Sequence, residues 1–278
     1  GFYWIWGISY MGITFYYPSE KFPTISVTGN RCNLNCLHCE GKFLGHMIAV
    51  EPLKLYEFCL ELEKEGIKGC LISGGFDSFG KVPLPYDVLS DVKEKTNLIL
   101  NVHTGLVEKE DVLKIKESRI DCVSFDFVWD DEITSKVFGL NKTKENYLKS
   151  LKLLKRHDIN VVPHLCIGLN FGKVQKEFEA LMILKELGFK KVVLIIFKSR
   201  KGTAMEDVQL DISKALEVLK FSRENFKEVI LGCMRPRTRE LEEFALCFDG
   251  IVAPSKSLRR RALELSLDIE EKYLCCVF

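Results

Sequence analysis

The 278 residues carry forty basic and thirty-nine acidic side chains, a net charge of +1, and are 47% hydrophobic and 28% charged. That balance gives no global field for nucleic acid or an acidic membrane, and the length suits two ordinary domains or one barrel-sized domain. Eleven cysteines, an odd count in a long chain, argue against a secreted disulfide scaffold and for a reducing, cytoplasmic setting.

The chain opens on GFYWIWGISYMGITFYYPSEKFP, uncharged up to Glu20. It lacks the basic start and small-residue cleavage site of a signal peptide. Its glycines, aromatic residues and missing charged flanks set it apart from a membrane span. Residues 1–23 are therefore expected to be a packed aromatic segment, in a chain whose missing initiator methionine suggests trimming. Short β-branched runs follow at 24–29, 69–75, 98–105, 122–128, 160–168, 191–197, 228–234 and 250–255. Continuous apolar runs of this kind suit strands of a parallel sheet covered on both faces.

Helical patterns separate these runs. Tyr147, Leu148, Leu151 and Leu154 share one face, as do Ile212, Ala215, Leu216 and Leu219 after an Asp211 cap. Gly66 and Gly188 stand where such helices should stop. Eight strand–helix repeats predict an α/β fold, a (β/α)8 TIM-type barrel over residues 24–265, with a tail at 266–278. An open doubly wound sheet is the alternative, but no G-x-G-x-x-G turn follows the first strand. In a barrel, chemistry sits in the loops after the strands, and the unusual residues of this chain gather in those loops.

Foremost is GNRCNLNCLHCEG, which places Cys32, Cys36 and Cys39 within eight residues directly after the first strand. A cubane iron–sulfur cluster usually takes four thiolates; held by three, it keeps one iron open to a substrate or cofactor. Zinc with His38 as a fourth ligand is the competitor, although zinc pairs normally come from two knuckles. Buried packing is the bland reading, and it fits poorly with the neighbouring Asn33, Asn35 and His38. After the second strand comes Ser73-Gly74-Gly75-Phe76-Asp77, with glycines where close backbone approach is needed. Ser124 and Asp126 alternate on the fourth strand and should face the interior. His164, Lys198, Asn101 and His103 are less determined, and Cys59, Cys70, Cys122 and Cys166 read as packing. Cys233 ends the seventh strand beside Arg235, Arg237 and Arg239, and EEKYLCCVF closes the chain with the vicinal pair Cys275 and Cys276. That pair reads either as tail packing or, with Cys233, as ligands of a second cluster.

C-x3-C-x2-C after the first strand of such a barrel resembles the radical S-adenosylmethionine (SAM) superfamily. The resemblance implies that Cys32, Cys36 and Cys39 hold a [4Fe–4S] cluster and that SAM chelates its open iron. Reductive cleavage of SAM would give a 5′-deoxyadenosyl radical, which takes hydrogen from an unactivated C–H bond. It also implies a one-electron donor such as ferredoxin or flavodoxin. Ser73, Gly74, Gly75 and Asp77 stand at the family's SAM-amine motif, with the acid displaced by one residue and shortened, and Ser124 and Asp126 where ribose is held. His38 replaces the aromatic residue usual before the last cysteine.

The layout, with "VSFDFVWDDEITSKVFG", "CIGLNFGKVQKEFEAL" and a GT-x-M turn, is similar to the biotin-synthase-like branch. Asn101 stands where biotin synthase itself has an auxiliary-cluster cysteine. "SGGFDSFGKVPL", "GCMRPR", "DGIVAPS" and the terminal "CCVF" resemble archaeal-type biotin-synthase homologues that include a subunit of a two-component lipoyl synthase. This implies sulfur insertion into a protein-bound octanoyl chain, a partner radical SAM subunit, a lipoyl-domain carrier protein and a second iron–sulfur cluster held by Cys233, Cys275 and Cys276. Phe2, Tyr3, Trp4, Trp6, Tyr10, Phe15 and Tyr16 would then line an acyl channel or a subunit interface. A single-cluster mutase, dehydrogenase or cofactor maturase, and a metal-bearing scaffold without catalysis, stay open.

Overall fold

The computed structural model describes residues 3–5, 8–10 and 12–278. Strands β1 (Tyr3–Ile5) and β2 (Ile8–Tyr10) form a small antiparallel pair. The side chains of Phe2, Tyr3, Trp4, Trp6 and Tyr10, and with them the expected acyl channel or interface, lie outside the described residues. The main sheet takes β3 (Gly12–Tyr16), β4 (Thr24–Ser26), β5 (Ile48–Ala49), β6 (Gly69–Ser73), β7 (Ile99–His103) and β8 (Cys122–Asp126). It continues with β9 (Val161–Ile167), β10 (Lys191–Ile196), β11 (Glu228–Leu231), β12 (Gly250–Val252) and β13 (Asp268–Lys272). Their order is β13-β3-β12-β11-β10-β9-β8-β7-β6-β4-β5, and every pairing is parallel.

Helices α1 (Leu55–Lys64), α2 (Tyr86–Lys95), α3 (Lys109–Glu117), α4 (Lys144–Arg156), α5 (Glu177–Glu186), α6 (Ile212–Asn225), α7 (Arg239–Phe244) and α8 (Lys256–Glu264) cross between successive strands. The local signals act as expected. Thr143 and Asn146 close a capping box on α4, whose Tyr147, Leu151 and Leu154 are buried. Asp211 caps α6 by accepting from Lys214 N at 3.0 Å. Gly66 and Gly188 follow α1 and α5 at φ +77° and +82°, left-handed positions that end a helix without strain.

The eight expected strands are present within a residue or three of their predicted ends. The expectation of a complete eight-unit barrel changes in one respect. The sheet has eleven strands, and β5 and β13 are its edges, so it curls as a TIM-like partial barrel without hydrogen-bonded closure. The aromatic segment and the tail each supply a strand, β3 and β13, paired with one another on the side away from β4.

How far the sheet curls can be read from the tail. Asn101 on β7 donates to Cys275 Sγ at 3.4 Å, while Tyr16 on β3 packs in one buried cluster with Cys276. β3 and β7 are six steps apart, about 29 Å in a flat sheet. Two adjacent residues reach both, so the sheet wraps around them. Tyr16, Cys122, Val162, Val193, Ile230 and Val252 from successive strands surround Cys276 and Val277, and the Phe278 ring lies 5.9 Å from Phe22. The tail thus fills the lower interior. Gly69 is required there: a Cβ would lie 2.6 Å from the Phe22 ring and would strike Ile99 O. Gly69→Ala is expected to cost about 1–3 kcal/mol of stability, read as a lower urea midpoint at unchanged slope.

Candidate functional site

Between β4 and β5 the chain winds the cysteine loop across the carboxyl ends of the strands. Gly29, Asn35, Glu40 and Gly41 all have φ between +47° and +71°, turning it tightly on either side of Cys36 and Cys39. Cys39 N and Glu40 N both donate to Cys36 O, at 3.0 and 2.8 Å, so the last two cysteines face each other across a turn. Cys36, and then the nearby His38, hold the Cys39 thiol down, while Cys39 and then burial push Cys36 up. His38 sits between Phe43 and Phe138, with ring centroids at 6.2 and 5.7 Å. It packs there as the aromatic residue it replaces, and its buried Nδ1 has no partner.

The end of β6 is pressed against this loop. Gly75 N donates to Thr28 Oγ1 at 2.7 Å, and Asn33 N donates to Phe76 O at 2.8 Å. A Cβ on Gly75 would lie 2.6 Å from Cys32 Cα and collide with Arg31 O, and a Cβ on Gly74 would meet Thr28 at 3.0 Å. Only glycine lets backbone come this close. Ser73 is buried at the strand end. Asp77, by contrast, spends Oδ1 on its own turn, accepting from Phe79 N at 2.8 Å and Lys81 N at 2.9 Å.

Across the mouth, the loop after β10 reaches over the cysteine loop. Ala204 N donates to Glu40 Oε1 at 2.7 Å, and Lys42 Nζ binds Gly202 O. Arg200 donates to His46 Nε2 at 2.8 Å and lies over the Phe43 ring. Strands β4 and β10 are five steps apart, so this bridge spans the mouth.

Below the mouth, β7, β8 and β9 present a polar wall. In register, His103 lies beside Ser124 and Asp126 beside His164. The two imidazoles meet edge to face at 5.9 Å. His164 is buried with Nδ1 3.1 Å from Val162 O, and burial pulls it down to about 4 against the opposing effect of Asp126. Ser124 Oγ donates to Asn101 Oδ1 at 3.0 Å. Asp126, at the end of β8, is exposed to the mouth.

The floor holds Cys275 and Cys276. The neighbouring Cys276, then the Val277 backbone and Asn101, draw Cys275 down to about 7 against the effect of burial. Burial and then Cys275 push Cys233 up. Cys233 follows the carboxyl end of β11 and is exposed. Its neighbour Arg235 is not solvated, as three arginines in a polar stretch would suggest. It is fully buried, donating to Gly232 O (2.7 Å), Val252 O (2.9 Å) and Glu242 Oε1 (3.0 Å), which ties β11 to β12 beside Cys233. The structure therefore gathers Cys32, Cys36 and Cys39 with Ser73–Gly75 at the mouth and puts Ser124 and Asp126 on the wall below, while Cys275 and Cys276 lie in the lower interior and Cys233, past the carboxyl end of β11, is in neither group. Among the described residues neither group is already arranged as a metal cage. Thr28, which holds Gly75, and Glu177, whose carboxylate accepts from Gly168 N and Gln175 N at 2.8 Å, were not singled out by sequence.

The family model of the Radical SAM superfamily matches residues 26–175. An uncharacterized protein of Methanocaldococcus jannaschii is 28% identical over 200 residues, covering 68% of this chain and 52% of the relative. A tRNA-2-methylthio-N(6)-dimethylallyladenosine synthase of Clostridium novyi is 22% identical over 226 residues, 76% of this chain and 49% of the relative. The chain thus spans about half the length of the curated relatives it matches. In fold it is similar to methylornithine synthase (TM-score 0.60, 13% identity, 94% of this chain and 83% of that one). It is also similar to the [FeFe]-hydrogenase maturase HydG (TM-score 0.63, 16% identity, 90% and 58%).

The residues fit the group that the superfamily name implies. Three thiols lie on one loop; a buried imidazole nitrogen beside them lacks a partner; and a Gly-Gly backbone is seated where a side chain would intrude. Cys32, Cys36 and Cys39 would hold a [4Fe–4S] cluster, with SAM against Ser73–Gly75.

Two outcomes follow. Gly75→Ala should displace the cysteine loop and lower iron retention at least about 10-fold, measured by iron analysis after reconstitution. His164 binds its proton in the unfolded chain near pH 6.5 and in the native chain only near pH 4. Stability should therefore rise with pH from about 4 to 6.5, and be lost on acidification across that window, by on the order of 3 kcal/mol. Melting curves of His164→Gln should lack that part of the slope.

Proposed function

The chain belongs to the radical SAM superfamily, and we propose that it works there as a sulfur-inserting enzyme with two iron–sulfur clusters, of the lipoyl-synthase type. When bound, the first cluster supplies the electron that cleaves SAM into methionine and the hydrogen-abstracting 5′-deoxyadenosyl radical. The chain's own part is to hold and shield. Cys32, Cys36 and Cys39 supply thiolates, Gly74 and Gly75 give close backbone approach, and Ser124 and Asp126 offer oxygens to a ribose. The loop after β10 bridges the mouth and limits water.

The observation that carries the sulfur reading is the position of the tail. Cys275 and Cys276 enter the barrel, where Asn101 donates to Cys275 Sγ and Cys276 is buried among Tyr16, Ile230 and Val252, so thiols lie below the mouth at which a radical would form. The name of the Clostridium relative also contains a sulfur-bearing product group. In this reading the substrate is an octanoyl chain on a lipoyl-domain carrier, presented with a partner radical SAM subunit, and a ferredoxin or flavodoxin supplies electrons. A single-cluster reaction on a small polar substrate is the second reading, favoured by the polar wall of Asn101, His103, Ser124 and His164.

Iron and sulfide analysis after anaerobic reconstitution separates the two. A Cys32/Cys36/Cys39→Ala variant should keep about half the wild-type iron if two clusters are present, and wild type with reductant should convert SAM to 5′-deoxyadenosine and add sulfur mass to an octanoyl-lysine peptide. Complete loss of iron from the variant would leave the single-cluster reading.

A further inference from the structure

We infer that Thr28 is the positioning residue of the SAM site: its hydroxyl fixes the Gly74–Gly75 backbone against the cysteine loop, a task that the acid at Asp77 does not share. The inference rests on SAM lying against Ser73–Gly75, not on the number of clusters. It goes beyond that placement in naming the side chain that sets the distance between SAM and the loop that would carry the cluster.

A relay of hydroxyls joins the turn after β6 to the loop after β4. Gly75 N donates to Thr28 Oγ1 at 2.7 Å, Thr28 Oγ1 lies 3.4 Å from Ser26 Oγ, and Ser26 Oγ donates to Gly29 O at 2.7 Å. Each hydroxyl has one proton to give. Ser26 gives its own to Gly29 O, so Thr28 gives its proton to Ser26 and the whole relay runs in one direction. Ser26 is fully buried at the end of β4, in register with Ser73 at the end of β6, so the relay is anchored in the core. A second link, from Asn33 N to Phe76 O at 2.8 Å, joins the same two segments. Thr28 and Asn33 stand on either side of Cys32 in the chain, so the first cysteine is held against the turn from both directions.

Thr28 meets both glycines of the turn. Its Oγ1 takes the Gly75 N–H, and its Oγ1 and Cγ2 both stand 3.0 Å from where a Cβ on Gly74 would lie. Its own carbonyl accepts from Arg31 N at 3.2 Å, which opens the turn that leads to Cys32. One side chain thus ties the backbone on which SAM would lie to the start of the cysteine loop. Asp77 is committed elsewhere: its Oδ1 accepts from Phe79 N and Lys81 N, and its N donates to Lys81 O at 2.8 Å. The acid shapes its own loop, and the hydroxyl shapes the SAM turn. Without that hydroxyl the buried Gly75 N–H loses its acceptor, and the turn moves to find another.

The test is equilibrium dialysis of SAM against the full chain after anaerobic reconstitution, without reductant so that no SAM is consumed, with iron content measured beside it. Thr28→Val keeps the shape of the side chain and removes the hydroxyl. It should retain its iron, because the three cysteines and the Asn33–Phe76 link remain, and bind SAM at least about 10-fold more weakly. Thr28→Ser, which keeps the hydroxyl, should bind SAM as the wild type does, and so should Asp77→Asn, whose Oδ1 still serves its own turn. Gly69→Ala strains the opposite end of β6 and controls for lost stability: it should melt lower and bind SAM unchanged. Circular dichroism melts check that each variant is folded in the assay, and Ser26→Ala, which cuts the relay one bond further on, replaces Thr28→Val if the latter does not fold. If the reconstituted wild type binds no SAM, the placement of SAM falls and this inference with it. If the wild type binds SAM, the role of Thr28 alone is overturned by Thr28→Val binding as tightly, by Thr28→Ser, Asp77→Asn or Gly69→Ala losing as much, or by iron being lost together with SAM.

Discussion

Parallel pairing from β5 to β13 forces the carboxyl end of every strand in that sheet onto one rim, and the curl around the tail turns that rim into a mouth. Without the curl, the loops after β4 and β10 would sit about 24 Å apart, five strand spacings of a flat sheet. With it, Glu40 meets Ala204 and Arg200 meets His46. The tail is as much a cause of this geometry as a passenger. Tyr16, Ile230, Val252, Val193 and Val162 bury apolar surface against Cys276 and Val277, so the lower interior is a packed core that holds the sheet at its working curvature.

Along the interior axis the chemistry is layered. At the mouth, loop turns and glycine contacts hold three thiols, Cys36 buried and Cys32 and Cys39 half-buried. At mid-height, β7 to β9 carry His103, Ser124 and His164, polar groups that a core could not bury without partners. Ser124 satisfies Asn101, His164 leans on its own strand's carbonyl, and Asn101 passes its remaining donor down to Cys275. At the floor lie thiols in apolar company. Burial raises Cys122, Cys275 and then burial raise Cys276, and hydrogen bonds lower Cys275, so neighbouring sulfurs are made unlike by their contacts.

The parts legible in the sequence were those whose environment leaves a pattern. Strands covered on both faces must be apolar throughout, so β6 to β12 stood out as runs. β13 reads DIEEK because it is an edge, and β5 is two residues with Ile48 exposed; neither leaves such a run. β3 was hidden in an aromatic segment that announced burial but not pairing. At the site, cysteine spacing marked Cys32, Cys36 and Cys39 because three thiols within eight residues are not a packing pattern. Asp77 shows the limit: an acid shifted by one residue was drawn into its own turn. Thr28 at a strand end resembles any β-branched residue. Asn101 was visible as a polar break in LILNVH, but its sulfur partner lies 174 residues away, and sequence distance carries no sign of such contacts.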